Sequence, residues 1–199
     1  MLKKFVLILA LMPVLNLLHE SGHWLGAKAI GADPKMLLQR VDVGADSRFS
    51  PLRRTVYNWG GPMVNYVAIT ASMINPWFLP VGFSMSCHRV APNIFAAFLY
   101  FRGHSSFTTD ETKQFSEESR LWVALLFSSV YLIVAFIVVS RWLPGLRIPF
   151  RIGALLSCAI IWFGYLILLD FFDKNIKTTA VKVSVACAEE DKGTLIPNS

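Results

Sequence analysis

The sequence predicts an all-α polytopic membrane protein of four to five transmembrane helices with a small interfacial β-hairpin, and three observations carry that prediction. First, the 199 residues are 54% hydrophobic and only 16% charged, with a mean hydropathy of +0.50. That balance suits lipid rather than water as the surrounding solvent. Second, four apolar stretches reach the roughly 20 residues a helix needs to cross a bilayer: Phe5–Ile30, Gly60–Phe83, Leu121–Leu143 and Ile148–Phe172. Third, a run between the first two of them alternates, the pattern of a short hairpin rather than a helix.

Lys3 and Lys4 precede the first stretch, FVLILALMPVLNLL, in the manner of a secretory signal. No A-x-A-like cleavage site follows, and the helix pattern continues through HESGHWLGAKAI, so the segment reads as a retained transmembrane helix. Gly31-Ala32-Asp33-Pro34 stops it. The next stretch, KMLLQRVDVGADSRFSP, alternates around Leu38, Val41 and Val43, breaks at Gly44-Ala45-Asp46 and resumes at Arg48-Phe49. It predicts a hairpin over residues 36–50, lying at the membrane surface. Gly60-Gly61-Pro62 opens the second span, and Asn75-Pro76 kinks or ends a helix. Val90–Phe101 is too short to cross by itself; it spans if Cys87, His88 and Arg89 join it, and is otherwise re-entrant. After the polar connection GHSSFTTDETKQFSEES come the last two spans. Residues 1–172 thus read as a membrane-embedded core and 173–199 as a soluble tail, in which TTAVKVSVACA alternates as one strand would.

The net charge of +6 comes with no dense basic run and no nucleic-acid motif. The partner it implies is the lipid bilayer with its anionic headgroups, not nucleic acid. With five spans, thirteen Lys and Arg residues fall on the side of the first loop and the tail. Positive-inside counting puts that side in the cytoplasm, while Lys3 and Lys4 pull the opposite way. The chain reads as a multi-pass integral membrane protein, of the cell membrane if the source is bacterial. Cys87, Cys158 and Cys187 have no metal-ligand spacing and are assigned no chemistry.

Chemistry concentrates in His19-Glu20-Ser21-Gly22-His23, an HExxH motif inside the first apolar helix. With four histidines and six glutamates in the chain, chance places one HExxH about 0.002 times. Residues four apart lie above one another on a helix, so His19 and His23 can bring two imidazole nitrogens to one zinc at about 2.0–2.1 Å. Glu20 projects beside them, where a carboxylate can take a proton from an activated water. Three ionisable groups within five positions of a membrane helix are costly and point to function. His19 lies 14 residues beyond Phe5, about 21 Å along the axis, which puts this chemistry within a hydrocarbon core of about 30 Å.

A catalytic zinc takes three protein ligands, so a third is sought among His88, His104, Asp110, Glu111, Asp170 and Asp173. Asp110 is the foremost candidate, with Asp170 and His104 as rivals. The competing reading of Asp110 is a helix start, because Thr108-x-x-Glu111 matches a capping box. Asn65, one turn after Gly61, can bond a substrate backbone or a developing oxyanion, or it can join helices. Asn16 is a candidate for bonding a metal ligand from behind or a neighbouring helix.

HESGH with its continuation WLGAKAIGA, the GxxxN element Gly61-Pro62-Met63-Val64-Asn65, and a β-hairpin between them resemble the site-2 protease family of intramembrane zinc metalloproteases, over roughly residues 5–70. The resemblance implies a Zn²⁺ cofactor, metal ligation by His19 and His23, Glu20 as general base and then proton donor, Asn65 in the catalytic machinery, and a transmembrane protein or peptide as substrate. The family's Asn-Pro and Asp-Gly third-ligand element is not present. Asn93 and Asp110 are its loose counterpart at a wider spacing, with Glu111 where the family has glycine. That departure leaves an alternative, an inactive relative that binds and sequesters transmembrane partners. Four histidines are too few for the multi-histidine iron sites of membrane oxygenases.

Overall fold

A computed structural model describes residues 2–37, 40–43, 49–104 and 107–193, with the side chains of the last helix described as far as residue 172. The described residues form helices α1 (Leu2–Ala29), α2 (Pro51–Ile74), α3 (Leu79–Phe101), α4 (Glu117–Trp142) and α5 (Ile148–Gly193), a 3₁₀ turn at Pro76–Phe78, and strands β1 (Lys35–Met36) and β2 (Val41–Asp42). Among the described residues, three helices are long and apolar enough to cross a membrane: Lys3–Ala29, Glu117–Trp142 and Ile148–Phe172.

The end of α1 is the one its sequence encodes. Gly31 adopts φ +80°, the Ala32 N–H donates to the Ala27 carbonyl, and the Gly31 N–H donates to the Lys28 carbonyl, both at 3.0 Å. This is a Schellman cap, whose left-handed position favours glycine. The hairpin is also present, with Lys35 opposite Asp42 and Met36 opposite Val41 in an antiparallel pair. The paired strands are Lys35–Met36 and Val41–Asp42. Leu38, Gly44-Ala45-Asp46 and Arg48 lie outside the described residues. The Leu37 N–H donates to the Arg40 carbonyl at 2.9 Å, and the Tyr57 hydroxyl pins the register by donating to the Val41 carbonyl at 2.8 Å.

The helices found where the expected spans Gly60–Phe83 and Val90–Phe101 lie have other boundaries, and neither is among the three apolar enough to cross. α2 starts at Pro51 behind Ser50, whose side chain accepts from the Arg53 N–H at 3.5 Å; Ser-Pro is a start signal in its own right. Gly60-Gly61-Pro62 therefore lies inside α2, where its glycines serve a helix crossing. A Cβ on Gly22 would overlap the Gly60 carbonyl, and one on Gly60 would overlap the Gly22 carbonyl. Only small residues let membrane helices approach so closely. α2 then ends at Ile74, and the Asn75 side chain accepts from the Trp77 N–H at 3.0 Å. Leu79 to Phe83 consequently belong to α3, a single helix of 23 residues that takes in Cys87, His88 and Arg89.

α3 packs against α1, α2, α4 and α5. It buries Ser84, Ser86, His88, Arg89 and Asn93, whereas Leu17 and Leu25 of α1, Trp122 and Ile133 of α4, and Ile160 and Ile167 of α5 are exposed. Polar groups inside and large apolar groups outside are the arrangement a lipid solvent demands. The apolar part of the interior gathers Met12 and Leu15 with Phe83, Tyr131, Val138 and Trp162. At the far end, TTAVKVSVACA is helical and not a strand, because α5 runs on to Gly193. A helix already nucleated gains a hydrogen bond for each residue it adds, which outweighs a local alternation.

Candidate metal centre

His19, Glu20 and His23 stand on α1 beside its crossing with α2. The two imidazole rings lie 5.0 Å apart, edge to face, as the four-residue spacing requires. α2 gives each ring an oxygen acceptor. The Nδ1–H of His23 donates to the Tyr57 carbonyl at 2.9 Å, and that of His19 donates to Asn65 Oδ1 at 3.1 Å. A backbone carbonyl only accepts, so His23 carries hydrogen on Nδ1. Such bonds fix the ring orientation and leave Nε2 as the nitrogen that could ligate a metal. Gly61 keeps space for this, since a Cβ there would overlap His23 Nε2 and crowd the ring of His19.

The third group arrives from the connection between α3 and α4. Asp110 Oδ2 lies 3.3 Å from His19 Nε2 and 3.4 Å from His23 Nε2. Around a tetrahedral zinc with bonds of about 2.0–2.1 Å, neighbouring ligand atoms are about 3.3 Å apart. The three side chains could therefore hold one metal ion, and all their ligand atoms lie within 4.8 Å of one another. Asp170 on α5 and the exposed His104 stand outside this group among the described residues. The side chain of Asp173 lies outside the described residues.

A buried network holds Asp110 in place. Arg89 of α3 grips Glu111 in a fork, Nε donating to Oε1 at 2.9 Å and Nη2 donating to Oε2. The Tyr131 hydroxyl of α4 donates to Oε1 at 3.1 Å, and Asn93 Nδ2 donates to Oε2 at 3.3 Å. Asn93 Oδ1 in turn accepts from the Thr109 hydroxyl at 3.0 Å, so residues on both sides of Asp110 are tied to α3. Glu111 is fully buried (0% exposed), and breaking such a pair by removing one partner costs about 3–5 kcal/mol. The capping-box reading of Thr108-x-x-Glu111 is thus excluded: α4 begins at Glu117 behind Ser116, and Glu111 is bound to Arg89.

The charge on Asp110 is likewise set by its neighbours. Burial pushes its carboxyl upward, but Lys113, Arg89 and the hydrogen bonds to His19 and His23 outweigh burial and hold it well below the usual carboxylate range. Lys113 Nζ sits 3.1 Å from Oδ1 and Arg89 Nη1 sits 3.2 Å from Oδ2. Burial also pushes Glu111 upward, and Arg89 more than offsets it. Both groups are ionised at neutral pH.

A cavity of about 240 Å³ opens onto the group, bounded among others by Asn16, Val41 of β2, Tyr57, Arg89 and Lys113. Glu20 lines it too, and its Oε2 is buried with no hydrogen-bond partner among the described residues. Asn65 does not reach this space. It is fully buried (0% exposed), with Oδ1 on His19 and Nδ2 donating to His88 Nδ1 at 3.4 Å. It bonds the His19 ring and is not among the residues that line the cavity. Arg89 carries no motif of its own, while His88 and Glu111 are legible in the sequence only as candidate third ligands and Glu111 as part of a capping box. The signal common to all three is ionisable groups in or beside an apolar stretch, which the cost of intramembrane charge flags.

The arrangement could bind a divalent cation beside the Glu20 carboxylate, at the edge of this cavity. Compared with protein-family models, with curated proteins and with solved structures, the chain finds no match.

Proposed function

We propose that the protein is an intramembrane zinc metalloprotease that hydrolyses peptide bonds of membrane-spanning or membrane-associated proteins. The observation that carries this reading is the convergence of His19 Nε2 and His23 Nε2 on one Asp110 oxygen at 3.3 and 3.4 Å, with each Nδ1 tied to an oxygen on α2. Two imidazoles and a carboxylate are a donor set suited to a hydrolytic zinc with an open fourth position. Zinc held there would lower the pKa of a water and polarise a carbonyl oxygen.

Glu20 is the proton carrier. Its unpartnered Oε2 takes a proton from the attacking water and returns it to the departing amine. Tyr57 and Asn65 keep the two rings in one orientation, and the Arg89–Glu111 pair holds the Asp110 segment. Val41 of β2 borders the cavity, so a substrate unwound into a strand and laid along the hairpin runs past Glu20. α2 and α3, at 24 and 23 residues, are each about 35 Å long and match a core of about 30 Å. Together with the three apolar helices they make a bundle of five crossings.

The test is cleavage of a single-span reporter protein by the full chain in proteoliposomes. Zinc-loaded protein should cut the reporter, chelation should stop cutting, and added zinc should restore it. His19→Ala and His23→Ala should each lose bound zinc and cleavage together, because two ligands no longer hold the ion. Cleavage that survives chelation or both substitutions would overturn the reading. Tight reporter binding without any cleavage would support the sequestering alternative instead.

A further inference from the structure

We propose that Arg89 is a second electrophile of this site, donating from Nη1 to the scissile carbonyl oxygen as that oxygen gains charge. The inference rests on the proteolytic reading and adds a residue that the HExxH pattern does not contain. Arg89 is buried (4% exposed) and lines the cavity. Glu111 takes its Nε and Nη2 donors, while Tyr131 and Asn93 hold Glu111 from α4 and α3. The guanidinium plane is thereby fixed, and Nη1 faces the metal-ligand atoms, 3.2 Å from Asp110 Oδ2 and 3.5 Å from His19 Nε2.

The structural role of Arg89, gripping Glu111 and so holding the Asp110 segment, uses Nε and Nη2 and does not require Nη1. A buried ion pair contributes little net stability compared with apolar side chains of the same volume, and a fixed cation beside a divalent-ion site weakens metal binding by repulsion. The repulsion is relieved when negative charge appears between the two cations. Asp110 supplies part of that charge in the resting site, and the carbonyl oxygen supplies the rest only during reaction, which is the condition for catalysis rather than simple binding. As the water oxygen bonds to the carbonyl carbon, one proton passes to Glu20 and the C=O π pair moves onto the oxygen facing Nη1. When the C–N bond breaks, that pair re-forms the C=O bond and Glu20 returns its proton to the nitrogen. Donors held in place before the charge develops cost no reorganisation. Asn65 is unavailable for this role, because both ends of its amide are bonded away from the cavity.

The test uses the zinc-loaded full chain in proteoliposomes, with Arg89→Gln/Glu111→Gln to remove both charges and keep hydrogen-bonding groups. Zinc content, kcat and KM for the reporter are measured. So is the affinity for a phosphinate peptide matching the cut site, a stable tetrahedral anion. Expected are wild-type zinc, KM within about threefold, and a kcat lowered about 10²- to 10³-fold, with phosphinate affinity falling in parallel. Arg89→Lys, which keeps a cation against Glu111 but loses the fork, should show the same loss of phosphinate affinity at full zinc; it carries the test if the double variant does not fold. Zinc lost in step with activity would make Arg89 only a support for Asp110 and overturn the proposal, as would unchanged phosphinate affinity. If the wild type binds zinc but cuts nothing, the proteolytic reading falls and this inference with it. If the wild type cuts and the double variant cuts as fast, only this inference falls.

Discussion

Glu20→Gln should keep its zinc and its fold while losing cleavage by at least about a hundredfold. The amide matches the carboxylate in shape, so packing between α1 and the cavity is preserved, but it cannot accept the proton that the attacking water must shed. General base catalysis of this kind contributes about 10²- to 10⁴-fold. The environment favours a strong effect, since among the described residues Glu20 Oε2 is buried and unpartnered and no other carboxylate at the cavity is free: Asp110 faces two imidazoles and two cations, and Glu111 is held by Arg89. The measurement is reporter cleavage beside zinc content on the same preparation. Unimpaired cleavage by this variant would remove Glu20 from the mechanism.

Asp110→Asn should weaken zinc binding by more than about a hundredfold and abolish cleavage, because a neutral amide is a poor zinc ligand. The same change also leaves Arg89 and Lys113 facing the His19 and His23 pair without their shared counter-charge, which disfavours a cation further. Asp170→Asn, in contrast, should bind zinc like the wild type. Competition against a zinc chelator separates the two variants. Zinc retained by Asp110→Asn and lost by Asp170→Asn would transfer the third ligand to α5.

The features legible in the sequence are those with a local cause. A four-residue spacing on one helix brings His19 and His23 together whatever the rest of the chain does, and Gly31 followed by Pro34 ends α1 through a cap formed within a few residues. α4 and α5 announce themselves because their apolar side chains face outward along most of their length. α3 is harder to read, since it lies at the centre of the bundle and turns Ser84, Ser86, His88 and Arg89 inward; those residues interrupt the hydropathy signal that a lipid-facing helix gives. Gly60-Gly61-Pro62 has the composition of a helix start, yet its glycines answer to α1 across the bundle, a partner 38 positions away for Gly60. Asp110 could be singled out as a carboxylate near a span. What positions it could not be, because the Arg89–Glu111 pair joins residues 22 apart through packing against Tyr131 and Asn93. The hairpin was visible as alternation, but its register depends on Tyr57 of the next helix.

The central claim is that His19, His23 and Asp110 hold one zinc ion, and X-ray absorption at the zinc edge on purified wild type tests it most directly. The predicted result is about one zinc per chain, with a first shell of two imidazole nitrogens and carboxylate and water oxygens at about 2.0–2.2 Å. Zinc well below one per chain after loading, or a shell dominated by sulfur at about 2.3 Å, would contradict it.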